Sequence, residues 1–172
     1  MKKIFAALAF ICISGILAFI FIFKTSLNNE NIYTLLALDG TKITFKKKEE
    51  ELSNSYNKPY LLVFMTSWCS YCLGQAKHLA NIHDDFGDKV NIYGIFTDKS
   101  ENIEELNQFV VDSNTKFPWF YKGDILQLLD SCSINTFPFF LLYDRDGTLF
   151  MSYDGITPEE MIAFDIKRLL KE

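Results

Sequence analysis

The sequence has no basic patch, no internal repeat, no low-complexity segment and no C-x-x-C-H run, and each absence removes a class of function. Net charge is −5, and the only like-charge runs, residues 46–48 and 49–51, are adjacent and cancel, so nucleic acid is excluded as a partner. Leu73 follows Cys72, so covalent haem attachment has no motif here. Histidine is scarce, with only His78 and His83, and the four cysteines are Cys12, Cys69, Cys72 and Cys132. No second ligand pair stands at a spacing that would complete a zinc site with Cys69 and Cys72, so no metal site is expected. A purely structural bridge between those two is disfavoured as well, because so short a loop removes little chain entropy.

Charge is also missing from residues 4–23, twenty positions without a charged residue or a proline, enough for a helix to cross a hydrocarbon core. Lys2 and Lys3 precede the run and a single Lys24 follows it, which orients the N-terminus towards the cytoplasm. A cleaved signal peptide would have a shorter apolar region and small residues at its cleavage site, so an uncleaved anchor is favoured. Cys12 lacks the preceding small residue of a lipoprotein signal and is assigned a lipid-facing or helix-packing place with no chemistry. The expected organisation is an anchor over 1–24, a polar linker over 25–31 and one folded domain over 32–172. That makes a single-pass protein of the cytoplasmic (inner) membrane with its C-terminal domain in the periplasm or its extracytoplasmic equivalent. About 145 residues suffice for one substantial core and not for two.

Within that domain, residues 33–38 and 41–45 flank Asp39-Gly40 and predict a hairpin with a tight primed turn. Pro59 opens an apolar run over 60–65, expected of a central strand covered on both faces. Ala76, Leu79, Ala80, His83 and Phe86 recur at helical spacing up to a Gly87 stop, and 90–97 reads as the next buried strand. An amphipathic helix over 101–113 with Ile103, Leu106, Phe109 and Val110 follows, then a strand over 117–121 and a short helix over 123–131. Strands at 139–143 and 148–153 enclose Asp146-Gly147, and Thr157 caps a last helix with Pro158 in its first position. The fold class is α/β with a central mixed sheet flanked by helices, an N-terminal hairpin and a central αβ insertion.

The chemistry lies in Cys69-Ser70-Tyr71-Cys72, at the junction of the central strand and its helix. Two thiols at this spacing close and reopen a small disulfide with little backbone movement. The helix N-terminus offers unpaired N–H groups and a partial charge of about +0.5, which favour a thiolate on Cys69. Cys69 is therefore the expected nucleophile and Cys72, one turn further in, the resolving thiol. The redox-active pair itself is the only cofactor required.

Residues 61–72, ending in Thr66-Ser67-Trp68-Cys69-Ser70-Tyr71-Cys72, resemble the active-site strand and loop of the thioredoxin superfamily. The central insertion, the Asp146-Gly147 turn and the anchor are similar to its TlpA/ResA/CcmG-like branch, a likeness that runs from about Tyr33 to the C-terminus. It implies a thioredoxin-like fold and an extracytoplasmic dithiol reductase of exported proteins, recharged by a membrane thiol-disulfide electron donor. Apocytochrome c, in cytochrome c biogenesis, is one candidate substrate. It also implies a cis proline facing the thiols, matched by Phe137-Pro138, with Phe117-Pro118 as the rival pair. That proline would expose the Phe137 backbone to a substrate chain and keep metal off the thiols. Trp68, Ser70, Tyr71, Phe137, Pro138 and Gln75 are the residues expected to shape the site.

The sequence departs from that family in two places. Tyr71, where reducing members have proline, is similar to disulfide isomerases of the DsbC type, so the direction of electron flow stays open across roughly −270 to −120 mV. Val63 and Gln75 stand where relatives place a buried acid to assist the resolving thiol, which predicts slow resolution and long-lived mixed disulfides. Cys132 is read as a small buried apolar residue or a third redox thiol, His83 as a hydrogen-bonded core histidine, and His78 as solvent-facing. Trp68 is expected to pack beside the thiols and Trp119 in the core of the insertion. The competing readings are a periplasmic oxidase or isomerase, a copper(I)-binding assembly factor with only Met65 nearby as a further soft ligand, and a peroxiredoxin.

Overall fold

The computed structural model describes residues 31–98 and 102–171, so the expected anchor over 1–24 and nearly all of the linker lie outside the described residues. Asn31, counted with the linker, already opens the first strand. Among the described residues no helix is long and apolar enough to cross a membrane. The elements are β1 (Asn31–Ala37), β2 (Lys42–Lys48), β3 (Glu51–Ser53), β4 (Tyr60–Met65), α1 (Ser70–Phe86) and β5 (Asn91–Phe96). They continue with α2 (Ile103–Ser113), β6 (Trp119–Gly123), α3 (Ile125–Ser131), β7 (Phe139–Tyr143), β8 (Leu149–Asp154) and α4 (Glu159–Leu170).

The strands form one mixed eight-stranded sheet in the order β3-β2-β1-β6-β5-β4-β7-β8, in which β4, β5 and β6 run parallel and β7 lies antiparallel beside β4. All six residues of β4 are buried, as the unbroken apolar run requires of a strand covered on both sides. Alternation divides them. Leu61, Val63 and Met65 join Cys72, Ala76, Leu79, Phe109, Ile162 and Ile166 under α1, α2 and α4. Tyr60, Leu62 and Phe64 face the opposite core, with Tyr33, Leu35, Phe45 and Leu52 from the N-terminal strands and Leu128 from α3. Each fully buried large side chain contributes roughly 1.5–3 kcal/mol.

Several local expectations are corrected. At β1–β2, Gly40 has φ +86°, whereas Asp39 is not among the residues of positive φ, so the turn is not a two-residue primed one. The Gly40 N–H reaches the Ala37 carbonyl at 3.1 Å and Ala37 N–H that of Thr41 at 2.8 Å, the three-residue pattern with glycine in the left-handed position. The Asp144–Thr148 turn repeats it, with Gly147 at φ +89°. β3, hidden inside an acidic run, was not expected; its Leu52 is buried, and Leu52 N–H donates to the Gly147 carbonyl at 2.8 Å. Pro158, not Thr157, holds the N-cap position of α4, whose first residue is Glu159.

β6 is integral to the sheet, joining β5 to β1, and one contact explains its position. Gly94 pairs with Trp119, and a Cβ at Gly94 would stand 2.3 Å from the indole. The missing side chain lets the ring stack on Phe96 at 4.6 Å and meet Phe109 edge-on at 5.3 Å, while its N–H donates to Thr115 at 2.8 Å.

Candidate active site

The site forms where β4 ends and α1 begins. Cys69 has extended backbone angles (φ −88°, ψ 111°) and is the N-cap of α1, and its Sγ accepts the Cys72 N–H at 3.2 Å. A sulfur thus takes the part usually given to a Ser or Asp oxygen, and that N–H is in place to hold charge on it. No acidic residue occupies the first turn of α1. Cys69 is partly exposed, and Cys72 is fully buried in the α1-side core. Burial, followed by the hydrogen bond to Cys69, pushes the Cys72 thiol up to about 12; the Thr66 main chain and hydroxyl act in the opposite direction. Both cysteines are free thiols.

The remaining expected residues divide in two groups. Trp68 is 75 % exposed and Tyr71 68 %, so both rings of the motif stand largely in solvent, with Ser70 the exposed first residue of α1. The Phe137-Pro138 bond is cis, and Phe117-Pro118 is not among the cis bonds. Phe139, the residue after Pro138, pairs with Phe64, one residue before the end of the strand that leads into the motif. Gln75 is buried and points away from proton chemistry. Its amide donates to the Thr157 carbonyl and accepts the Thr157 N–H, both at 2.9 Å.

Two groups near the thiols had no sequence signal of their own. Asp98, just beyond β5, accepts from the Ser67 N–H at 2.9 Å and the Ser67 hydroxyl at 3.3 Å, and that hydroxyl also lies 3.1 Å from Glu105. Burial raises the Asp98 carboxyl above the ordinary carboxylate range, opposed by its bonds to Ser67. Thr66 is the other. Its place at the end of a parallel strand, where such sheets gather their sites, is the one clue available in advance.

His83 corrects an expectation: it is only partly buried, its Nδ1 is buried with no hydrogen-bond partner among the described residues, and its ring lies 5.8 Å from Phe117. His78 is exposed and meets Glu159 at 3.1 Å. Cys132 is the C-cap of α3 and packs against the core on the opposite sheet face from Cys69 and Cys72, next to Tyr143. Among the described residues no group of three or more His, Cys, Asp or Glu side chains converges as a metal site would.

The arrangement of an exposed thiol at a helix N-cap with a buried thiol one turn behind it can carry out thiol–disulfide exchange. Comparison with known proteins agrees. Thioredoxin Y from the chloroplast of Oryza sativa subsp. japonica is 31% identical over 87 residues, which is 47% of this chain and 51% of that protein, so the match spans about half of the relative's length. Among solved structures, the thioredoxin domain of a thiol-disulfide oxidoreductase from Bacteroides vulgatus superposes with a TM-score of 0.65 at 20% identity, covering 81% of this chain and 94% of that one. A secreted Mycobacterium tuberculosis disulfide oxidoreductase, described as homologous to E. coli DsbE, gives 0.62 at 21% identity over 78% and 94%. StoA from Bacillus subtilis gives 0.61 at 18% identity over 79% and 96%. The fold is thioredoxin-like, and the AhpC/TSA family matches residues 34–165. The chain belongs to the AhpC/TSA family, and its Cys69–Cys72 dithiol stands on a thioredoxin-like fold.

Proposed function

We propose that this chain is a membrane-anchored, extracytoplasmic protein-disulfide reductase in which Cys69 attacks and Cys72 resolves. The observation that carries the order of events is the contrast between the two sulfurs. Cys69 is partly exposed and accepts a helix N–H, while Cys72 is sealed in the core with its thiol pushed up to about 12. The Cys69 thiolate attacks one sulfur of a substrate disulfide; a Cys69–substrate bond forms, the substrate S–S bond breaks, and the departing sulfur leaves as a thiolate that takes a proton. Cys72 then gives up its proton and attacks the Cys69 sulfur, closing the Cys69–Cys72 disulfide and releasing the second substrate thiol. Two electrons and two protons pass to the substrate, and a dithiol donor of the membrane thiol-disulfide type must return them. Likeness to a secreted disulfide oxidoreductase, the charge pattern of residues 1–24 and the apolar run over 4–23 support the location. Apocytochrome c before haem attachment is one candidate substrate.

Tyr71, in place of proline before Cys72, favours a second reading in which the same residues oxidise or shuffle disulfides. The equilibrium reduction potential of Cys69–Cys72 decides between them, measured on the full chain in detergent against glutathione and dithiothreitol with a Cys69→Ser control. A value at or below about −250 mV identifies a reductase, whereas one between about −180 and −130 mV identifies an oxidase or isomerase. Absence of any reversible couple dependent on Cys69 overturns both.

A further inference from the structure

The parallel strands β4, β5 and β6 all end on one side of the domain, and Cys69 follows the end of β4. Pairing shows what else reaches that side. Leu35 of β1 already stands opposite Gly123, the last residue of β6, so the antiparallel β1 begins beyond the carboxyl end of β6, with Ile32 there. Leu126 comes three residues after Gly123, and Asp124 between them accepts the Thr34 N–H at 2.8 Å. Ile103 opens α2 two residues before Glu105, which accepts from the Ser67 hydroxyl at 3.1 Å. Ile156 stands two residues after Asp154, which pairs with Phe139, itself paired with Phe64 near the end of β4.

With Trp68 and Tyr71 of the motif, six of the eleven large apolar side chains exposed among the described residues lie at this one end: Ile32, Trp68, Tyr71, Ile103, Leu126 and Ile156. Such side chains are ordinary when scattered and mark a contact surface when gathered. The acids at the same end are held by the protein, Asp98 by Ser67, Asp124 by Thr34 and Asp154 by the Thr136 hydroxyl at 2.6 Å. Tryptophan and tyrosine are the side chains that gather where lipid headgroups meet water.

The chain itself points to what covers this surface. Thirty residues precede β1, and the uncharged run over 4–23 leaves residues 24–30 between it and the strand. Seven residues reach at most about 25 Å when fully extended. A domain of this length is roughly 37 Å across. Lipid around the uncharged run is therefore within reach of the end at which β1 begins and out of reach of the opposite end.

We propose that the carboxyl end of β4, β5 and β6 rests on the bilayer interface, with its six exposed apolar side chains in the headgroup layer and Cys69 presented at the membrane surface. This rests on the membrane-anchored reading and deepens it, because thiols held at that surface become the ones Cys69 meets.

The test reconstitutes the full chain in phosphatidylcholine nanodiscs, with and without bromine on the upper part of the acyl chains, and reads tryptophan emission. The chain has two tryptophans, of which Trp119 is 2 % exposed and Trp68 75 %, so the difference between wild type and Trp68→Phe isolates Trp68. Side chains seated about 5–10 Å into the interface come within reach of those bromines, so the Trp68 emission is expected to fall by about half in brominated discs, while that of Trp119, read in Trp68→Phe, is unchanged. The double variant Ile32→Ser, Leu126→Ser should weaken that quenching by about twofold or more. Equal Trp68 emission in the two kinds of disc overturns the proposal and leaves the six side chains to a polypeptide partner, and equal quenching of both tryptophans overturns it too. Elution of the chain apart from the discs overturns the anchored reading beneath the proposal, a separate outcome read before any emission is measured.

Discussion

Burial of Cys72 sets the rate at which a mixed disulfide on Cys69 is resolved. In the dithiol state its thiol is pushed up to about 12, chiefly by desolvation and secondarily by the hydrogen bond to Cys69. Once Cys69 is bonded to substrate that second contribution goes and desolvation stays, so the titration point in the mixed disulfide lies below about 12 and above the ordinary thiol value of about 8.5. At the upper end of that interval, near pH 7.5, the reactive thiolate is scarcer by ~3.5 log units than for an ordinary thiol, and the greater basicity of each thiolate returns about 1.6 at a Brønsted slope of ~0.45. Resolution is then slower by roughly 80-fold than by an unburied cysteine at the same distance, and this is the upper bound.

The assay loads Cys69 with 2-nitro-5-thiobenzoate at acid pH, jumps the pH and follows release of the coloured anion. The expected profile rises about tenfold per pH unit and levels off only above the ordinary thiol value of about 8.5. The Cys72→Ser variant supplies the baseline, because it retains the loaded Cys69 and removes the intramolecular attack. A plateau at or below about 8.5 refutes the reasoning, since it means that burial in the dithiol form does not carry over to the species that reacts.

Thr66→Val removes a buried hydroxyl that acts against the rise of the Cys72 thiol, so the same release assay should slow by about 1.5- to fourfold once the greater basicity of each thiolate is counted. Asp98 is raised by burial, so its protonated form is the one the fold favours; its stabilisation is complete below the unfolded carboxyl value and is lost as pH rises through the folded one. Urea midpoints of Asp98→Asn should therefore gain on wild type as pH increases over that window, and a gap independent of pH would refute it. Gly94→Ala sets a methyl 2.3 Å from the Trp119 indole and should lower stability by about 1–3 kcal/mol in chemical denaturation, with near-ultraviolet circular dichroism reporting the displaced ring.

Much of this architecture is legible in the sequence because its central elements are over-determined. The run over Tyr60–Met65 is apolar at every position, and Phe139–Tyr143 nearly so, and both were delimited at their observed ends. What escaped has a physical reason in each case. β3 is three residues long, and its one buried side chain, Leu52, sits among glutamates and serines, so no period can be read from it. The Gly40 and Gly147 turns carry the Asp-Gly signature of a primed turn, yet the positive φ falls on the glycine alone, a choice fixed by hydrogen bonds across the turn. At the site, Cys69 and Cys72 announce themselves by spacing. Asp98 and Thr157 do not, because their partners are distant in sequence: 31 residues separate Asp98 from Ser67 and 82 separate Thr157 from Gln75.

These separations also bear on why Gln75 in place of an acid changes more than the supply of a proton. The packing that removes water from Cys72 is the packing of α1 against β4 and α4, in which Ala76, Leu79 and Ile162 are fully buried. A carboxyl in that environment would itself be driven to its neutral form. A neutral amide avoids that desolvation and uses both its donor and its acceptor on one backbone position. The consequence is a division of labour within one turn of helix. The face of α1 that carries Cys72 has no acid to take its proton, while the residue three positions on holds the main chain of Thr157 at the entry to α4.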